Sequence, residues 1–79
     1  MAEARARLAK LTPREFEVFR WVIAGLVNKE IGAELGVTLR TIKEHRGRVM
    51  QKMGVLSVAE LVWLALKAGV APAQPVTAS

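Results

Sequence analysis

The sequence of 79 residues contains no cysteine, and His45 is its single histidine. Without cysteine the chain has neither a disulfide framework nor a thiolate metal site, so a reducing, cytoplasmic compartment is the simpler expectation. There is also no glycine-rich phosphate loop, and His45 is not part of a catalytic or metal-binding sequence motif. We therefore predict that the protein is not an enzyme and needs no metal or other cofactor.

Long apolar runs are also missing. Residues 1–10 carry charges throughout, and no uncharged run approaches the roughly 20 residues that a membrane-spanning helix needs. The length fits one small domain. Twelve Lys and Arg against seven acidic residues give a net charge of +5. This excess indicates a polyanionic partner, either nucleic acid or an anionic membrane surface, and charge alone does not choose between them.

Capping and stop signals predict an all-α fold with four helices. The first predicted helix follows the capping box of Thr12 and Glu15, with Pro13 at its first position, and Asn28 is the predicted N-cap of the second. Glycines mark the helix ends. The predicted helices cover residues 13–24, 29–35, 39–53 and 58–68.

The flanking segments carry weaker signals. Residues 1–10 form either a helical lead-in or the remnant of a linker. Residues 71–79 contain two prolines and no periodicity, which predicts a flexible tail. At the start of the fourth predicted helix, Ser57 and Glu60 form a second capping box, and Leu56 and Leu61 have the spacing of a hydrophobic staple.

The second and third predicted helices have the spacing of a helix-turn-helix. Ile31, Leu35 and Ile42 are apolar anchors, Gly32 is a small residue where the helices cross, and Gly36 lies in the turn. In this motif the second helix lies in the major groove of DNA. The expected architecture is therefore a four-helix domain that contains a helix-turn-helix.

Residues 37–54 combine this pattern with five of the twelve Lys and Arg residues. At about 100° per residue, Ile42, Val49 and Met53 share a narrow face that we expect to pack on the core. The opposite side is polar and mostly cationic, which suits a groove, although a solvated surface helix has a similar pattern. That side carries Arg40, Lys43, Glu44, Gly47, Arg48 and Gln51.

Five short stretches follow one another along the chain: LTPRE, NKEI, RTIKEH, KMGV and SVAEL. In this order they resemble the DNA-binding domain of LuxR-type transcription regulators, in particular the FixJ and NarL response-regulator branch, over residues 11–70. The resemblance implies a bacterial two-component regulator whose third helix reads double-stranded DNA and whose fourth helix mediates dimerisation. A receiver domain needs a phospho-accepting aspartate and the sequence has none, so we expect either an excised effector domain or a stand-alone regulator.

The resemblance also assigns site residues by position. It places Lys43, Glu44 and Gly47 nearest the bases, and Gly47 departs from relatives that have a basic base-reading residue there. Glu44 either accepts from cytosine N4 or pairs with a neighbouring arginine. The positions near phosphates are Asn28, Lys29, Thr38, Arg40, Thr41 and Arg48.

Two residues at the margins of the apolar stripe have other expected roles. We predict that His45 is packed or bonded to backbone rather than catalytic. We predict that Arg46 pairs with Glu15 or Glu17 of the first helix, with a phosphate contact as the open alternative.

The fourth predicted helix is apolar on two sides, since only Glu60 and Lys67 are charged between residues 58 and 68. One side suits the core, and the other needs a partner. We predict a homodimer, weak in free solution and reinforced on DNA; alternatively, Leu8 folds back over Trp63. The predicted dimer surface comprises Ala59, Val62, Trp63 and Leu66.

Other functions are open at this stage. A helical protein-interaction module that docks on RNA polymerase or on a partner regulator would use the basic surface against an acidic one, and a receiver domain is a further candidate partner. A sigma-factor-like promoter domain shares the helix-turn-helix but usually lacks the second apolar side of the fourth helix. A membrane role is disfavoured, because the basic helix has no broad apolar face to insert.

Overall fold

A computed structural model describes residues 2–74 of the chain. The described residues form five helices and no strand, which confirms the all-α class. Helices α2 to α5 are the four predicted ones, and the segment expected as a helical lead-in or linker remnant contributes a further helix, α1. Their bounds are α1 Ala2–Leu8, α2 Pro13–Ile23, α3 Asn28–Leu35, α4 Leu39–Met53 and α5 Val58–Ala68.

The starts of α2 and α3 differ in their capping. At α2, Thr12 Oγ1 accepts from the backbone N–H of Glu15 at 3.1 Å, and the Glu15 carboxylate accepts from the Thr12 N–H at 2.9 Å. At α3, the prediction of Asn28 as N-cap is wrong, because Val27 occupies that position and Asn28 is the first helical residue. The Glu30 carboxylate accepts from the Val27 N–H at 2.8 Å, which satisfies the helix start without an Asn28 side-chain bond.

Helix α5 begins at the predicted Ser57 cap, where Ser57 Oγ accepts from the Glu60 N–H at 3.2 Å. The predicted hydrophobic staple is wrong. Leu56 is 96% exposed, whereas Leu61 is completely buried. The Leu56 N–H instead donates to the Glu60 carboxylate at 3.3 Å, so a polar contact orients the chain at this point.

The core lies where α2, α3, α4 and α5 meet. The prediction for α4 is confirmed, since Ile42, Val49 and Met53 are completely buried. Helix α4 packs against α1, α2 and α3, and burial of each large aliphatic side chain stabilises this orientation by about 1.5 to 3 kcal/mol. The other large, completely buried side chains are Val18, Phe19, Val22, Ile31 and Leu61.

Helices α3 and α4 form the predicted helix-turn-helix. Gly36 ends α3 in the left-handed conformation, with φ 69° and ψ 32°. The Val37 N–H then donates to the Gly32 carbonyl at 3.0 Å. A Cβ atom on residue 32 would lie 2.9 Å from the Val37 carbonyl oxygen, so any larger residue requires a backbone shift. The small residue at the crossing is therefore a steric requirement of the turn.

The two ends of the described chain pack against this unit. Helix α1 contacts α4 and α5, and Arg7 Nη1 donates to the Met53 carbonyl at 2.8 Å, at the negative end of the α4 dipole. At the other end, Arg20 Nε donates to the Ala71 carbonyl at 3.0 Å, and the Ala73 N–H donates to the Arg20 carbonyl at 3.1 Å. These bonds involve the described part of the predicted tail, whose flexibility stays a prediction; residues 75–79 lie outside the described residues.

Among residues 2–74, no single helix is both long enough and apolar enough to cross a membrane.

Candidate nucleic-acid interface

The side of α4 opposite the core is exposed and cationic. We call it the basic face; it comprises Arg40, Lys43, Glu44, Gly47 and Arg48, all of them exposed. The side chain of Arg40 is 90% exposed. Because the buried stripe of α4 holds the helix against α2 and α3, the three cations of the basic face project from a fixed support towards solvent.

The remaining predicted contact residues lie at the starts of the two helices of the helix-turn-helix, α3 and α4. Asn28 and Lys29 are the first two residues of α3, with Asn28 half-buried and Lys29 exposed. Thr38 is the N-cap of α4, and its Oγ1 accepts from the Thr41 N–H at 3.2 Å. The two threonine hydroxyls are also hydrogen-bonded, at 3.0 Å. Both threonines therefore fix the start of α4, and Thr38 is exposed.

Glu44 makes a long ion pair within the basic face. Its Oε2 lies 3.9 Å from Arg40 Nε, with both side chains more than half exposed. Of the two alternatives for Glu44, the pairing with a neighbouring arginine is thus present in the free domain. Such exposed pairs contribute at most about 1 kcal/mol, so a phosphate or a base can displace the contact at little cost.

Arg46 does not pair with Glu15 or Glu17, and this prediction is wrong. Its Nη1 donates to Asn28 Oδ1 at 2.8 Å, in a partly buried contact that joins α4 to the first residue of α3. The cation that contacts Glu15 is instead Lys52, which donates to its Oε1. The Arg46 contact leaves the amide N–H groups of Asn28 as the donors that this residue can offer to a phosphate.

The contact between Lys52 and Glu15 was missed from the sequence. Lys52 Nζ donates to Glu15 Oε1 at 2.7 Å, and the Glu15 side chain is only 4% exposed. The hydrogen bond from Lys52 and that from the Thr12 backbone lower the pKa of Glu15 below its usual 4.5, against the opposing effect of burial. The capping box marked Glu15 as structurally engaged, but no local signal linked it to a residue 37 positions away.

His45 is half-buried, as its place at the margin of the stripe predicts, and its Nδ1 is buried without a hydrogen-bond partner. The predicted packed role is consistent with this burial, and the alternative of a backbone bond at Nδ1 is not seen. Within residues 2–74, no group of three or more His, Cys, Asp or Glu side chains is arranged to hold a metal ion.

The far side of α5 is open to solvent. We call it the outer face; Ala59, Trp63 and Leu66 are exposed and Val62 is half-buried. The exposed fraction is 59% for Trp63 and 69% for Leu66. Lys67 Nζ lies 5.2 Å from the centroid of the Trp63 ring, a cation–π distance. Helix α1 does pack on α5, yet it leaves Trp63 mostly uncovered, so the alternative in which Leu8 hides this ring is not seen.

The helix-turn-helix and its surroundings match a known family. Residues 9–65 match the GerE family, described as bacterial regulatory proteins of the luxR family. The chain belongs to the luxR family. This family is one of regulatory proteins and not a known class of enzymes.

This luxR-family domain is similar to part of a transcriptional regulatory protein and of two solved regulator structures. The transcriptional regulatory protein FixJ of Azorhizobium caulinodans is 45% identical over 76 residues, which cover 96% of this chain and 36% of the relative. The solved structure of the response regulator StyR superposes with a TM-score of 0.81 at 42% identity, over 84% of this chain and 33% of StyR. Full-length FixJ from B. japonicum gives a TM-score of 0.76 at 48% identity, over 86% of this chain and 35% of that protein.

The luxR-family domain thus spans about a third of the length of the curated relatives that it matches. In the two solved structures the matched part is likewise about a third of the protein. The matched part is the helical domain that contains the helix-turn-helix.

Proposed function

We propose that this luxR-family domain binds double-stranded DNA as the output domain of a bacterial transcription regulator, with α4 in the major groove. The observation that carries the proposal is the basic face, in which three exposed cations and one carboxylate lie on the second helix of the motif. Helix α4 has 15 residues, hence a length of roughly 22 Å, and a single helix fits the width of the major groove. This role places the domain in the cytoplasm, with the chromosome.

Within the basic face we assign Lys43 to base reading. It lies one helical turn after Leu39, in the N-terminal half of α4, which is the part of a recognition helix that contacts base edges. A lysine there donates to guanine O6 or N7. Glu44 lies beside it and accepts from cytosine N4 when it releases Arg40.

The phosphate contacts are assigned to the flanking cations and donors. Arg40 and Arg48 lie two turns apart on α4, and both are exposed. Lys29 and the Asn28 amide extend this set to the start of α3, where the helix dipole also favours an anion. Thr38 and Thr41 complete it at the start of α4. The Arg46 bond to Asn28 ties the start of α3 to the middle of α4, so that Asn28 keeps a fixed position relative to the basic face.

We also propose that two copies of the domain associate through the outer face of α5. Trp63 and Leu66 supply exposed apolar area, and the small side chain of Ala59 permits close approach of two helices. The area on one helix is modest, so association is weak in solution and is reinforced on DNA. Two α4 helices would then enter major-groove faces about one helical turn, roughly 34 Å, apart.

A second candidate is a protein-interaction module, and the exposed Trp63 is the observation that favours it. The same outer face fits a partner such as RNA polymerase, a second regulator or a receiver domain. In that case the domain would use α5 for a protein contact and the basic face would meet an acidic surface. The two candidates make different predictions for DNA without any partner protein. The DNA-binding domain should bind it, and the protein-interaction module should not.

The test is a selection of bound duplexes from a random pool, followed by measurement of the dissociation constant at several salt concentrations. We expect an enriched sequence motif, and an affinity whose logarithm falls linearly with the logarithm of salt by about 0.9 for each phosphate contacted. A pool without enrichment, together with binding that does not depend on salt, would favour the protein-interaction module instead.

A further inference from the structure

Gly47 lies in the interior of α4, where glycine is a poor helix former. The other five of the six glycines have a reason within the fold. Gly32 is required by its contact with the Val37 carbonyl, at 2.9 Å from a built Cβ. The remaining four adopt positive φ at helix ends, a conformation that side chains disfavour: Gly25, Gly36, Gly54 and Gly69.

Gly47 has neither reason. It has helical geometry and negative φ, and no heavy atom of the described residues that could limit a side chain lies within 4 Å of the place where its Cβ would stand. Alanine would fit there and would favour the helix. The isolated fold therefore gains nothing from glycine at this position, and Gly47 lies on the exposed side of α4, where it can affect only what the basic face contacts.

The position of Gly47 indicates what that contact is. It lies one turn after Lys43 and one turn before Gln51, with Glu44 and Arg48 beside it on the same exposed side. A residue without a side chain at this point leaves a notch in the ridge of the basic face. At the notch, the backbone of α4 is exposed to solvent.

We infer that Gly47 is a specificity-determining residue whose missing side chain lets the backbone of α4 approach the base edges closely; this inference rests on the proposed DNA binding. At this closer distance, the carboxylate of the short Glu44 side chain and the ammonium of Lys43 can both form hydrogen bonds with base edges. A side chain at residue 47 would hold the helix away from the floor of the groove. It would leave the phosphate contacts of the longer arginines intact, because those can extend.

The experiment compares wild type with Gly47→Ala and Gly47→Met in both folding and DNA binding. We expect Gly47→Ala to raise the thermal midpoint by about 4 to 8 °C, since it improves helix propensity without a clash. Its dissociation constant for the selected duplex should rise about tenfold, and that of Gly47→Met should rise further. Binding to an unrelated duplex and the salt dependence should stay as in wild type, because no charge changes.

Ala6→Gly is the matched control, since residue 6 is exposed in a different helix, α1, and is not part of the basic face. It should lower the thermal midpoint and leave the affinity for the selected duplex unchanged. A Gly47→Ala protein that is more stable and binds the selected duplex as tightly as wild type would overturn the inference. A Gly47→Ala protein that is not stabilised would also overturn it, because glycine would then serve the fold. A wild-type domain that selects no DNA would instead contradict the proposed function itself.

Discussion

The Lys52 ammonium lies 2.7 Å from the Glu15 carboxylate and joins the last turn of α4 to the first turn of α2. The same carboxylate oxygen accepts from the Thr12 N–H, so one buried atom completes the α2 cap and holds α4. Arg7 also holds the end of α4, through the Met53 carbonyl. The C-terminal end of α4 is therefore fixed by two cations, and the exposed basic face lies N-terminal to these contacts.

The first prediction concerns acid stability. The folded-state pKa of Glu15 is lowered from 4.5, so this group contributes stability that is present above pH 4.5 and is lost as the pH falls through the folded-state pKa. At neutral pH, Glu15→Gln should reduce the free energy of unfolding by about 1 to 2 kcal/mol, because Lys52 loses its charged partner. Urea unfolding of the two proteins should show this difference shrink as the pH falls below 4.5.

Glu17→Gln is the control for this prediction, because Glu17 is exposed on the same helix. It should change the free energy of unfolding by less than about 0.5 kcal/mol at either pH. A Glu15→Gln protein whose deficit stays constant down to about pH 3 would show that the Lys52 contact does not stabilise the folded state.

The second prediction tests the orientation of α4. Ile42 is completely buried, so Ile42→Ala should lower the free energy of unfolding by about 2 to 5 kcal/mol through lost burial and a cavity. Gln51 is exposed on the opposite side, and Gln51→Ala should change it by less than about 0.5 kcal/mol. Urea denaturation of both variants makes the comparison. Should the Gln51 variant be the less stable one, the helix has been oriented incorrectly.

Local signals in the sequence predicted most of this fold. The capping box of Thr12 and Glu15 placed the start of α2, and the spacing of Ile42 and Val49 identified the buried side of α4. Gly32 was identified as the small residue at the helix crossing. These features depend on residues within a turn or two of one another, so the periodicity of the chain contains them.

The long-range side-chain contacts could not be predicted in the same way. Arg46 bonds Asn28 across 18 positions, and Arg7 reaches Met53 across 46. Which of several candidate partners a flexible cation contacts depends on how the helices cross, and periodicity does not determine this. The wrong prediction of Asn28 as the N-cap of α3 has a related origin. Asparagine is a favoured N-cap, but here the side-chain oxygen of Asn28 accepts a hydrogen bond from Arg46.

In the candidate site, too, the local sequence pattern predicted some features and not others. The exposure of Lys43 and Arg48 followed from their place opposite the apolar stripe, whereas their assignment to bases or phosphates came from resemblance and is a proposal. The exposure of Trp63 was expected from the excess of apolar residues on α5. The position of Lys67 over its ring was not, because it depends on the rotamers of both side chains.

The third prediction concerns the outer face of α5. Trp63→Glu should leave the monomer folded, since Trp63 is 59% exposed, and should place a charge in the proposed interface. Cooperative binding to a duplex with two half-sites should fall, with little change for a single half-site. Sedimentation and titration of both duplexes would measure this. Ala6→Glu is the control, because it adds the same charge to an exposed site on α1. The dimer proposal would be contradicted if sedimentation showed only monomers and Trp63→Glu bound both duplexes as tightly as wild type does.

The fourth prediction separates base reading from phosphate contact. Lys43→Ala should weaken binding to the best selected duplex by about 1 to 3 kcal/mol and relax the preference at one base position. Titration against a set of duplexes, each with one base pair changed, would reveal the relaxed position. A loss of equal size on every duplex would reassign Lys43 to a phosphate.

The salt dependence of binding tests most directly whether the basic face of α4 carries the affinity for DNA. The dissociation constants of wild type, Arg40→Ala and Arg48→Ala should be measured on one duplex over a range of salt. Arg5→Ala, which alters an exposed cation on α1, is the control. We expect each basic-face variant to bind all duplexes more weakly and to lower the salt slope by about one unit, with Arg5→Ala unchanged. Slopes that are the same in all four proteins would contradict the claim.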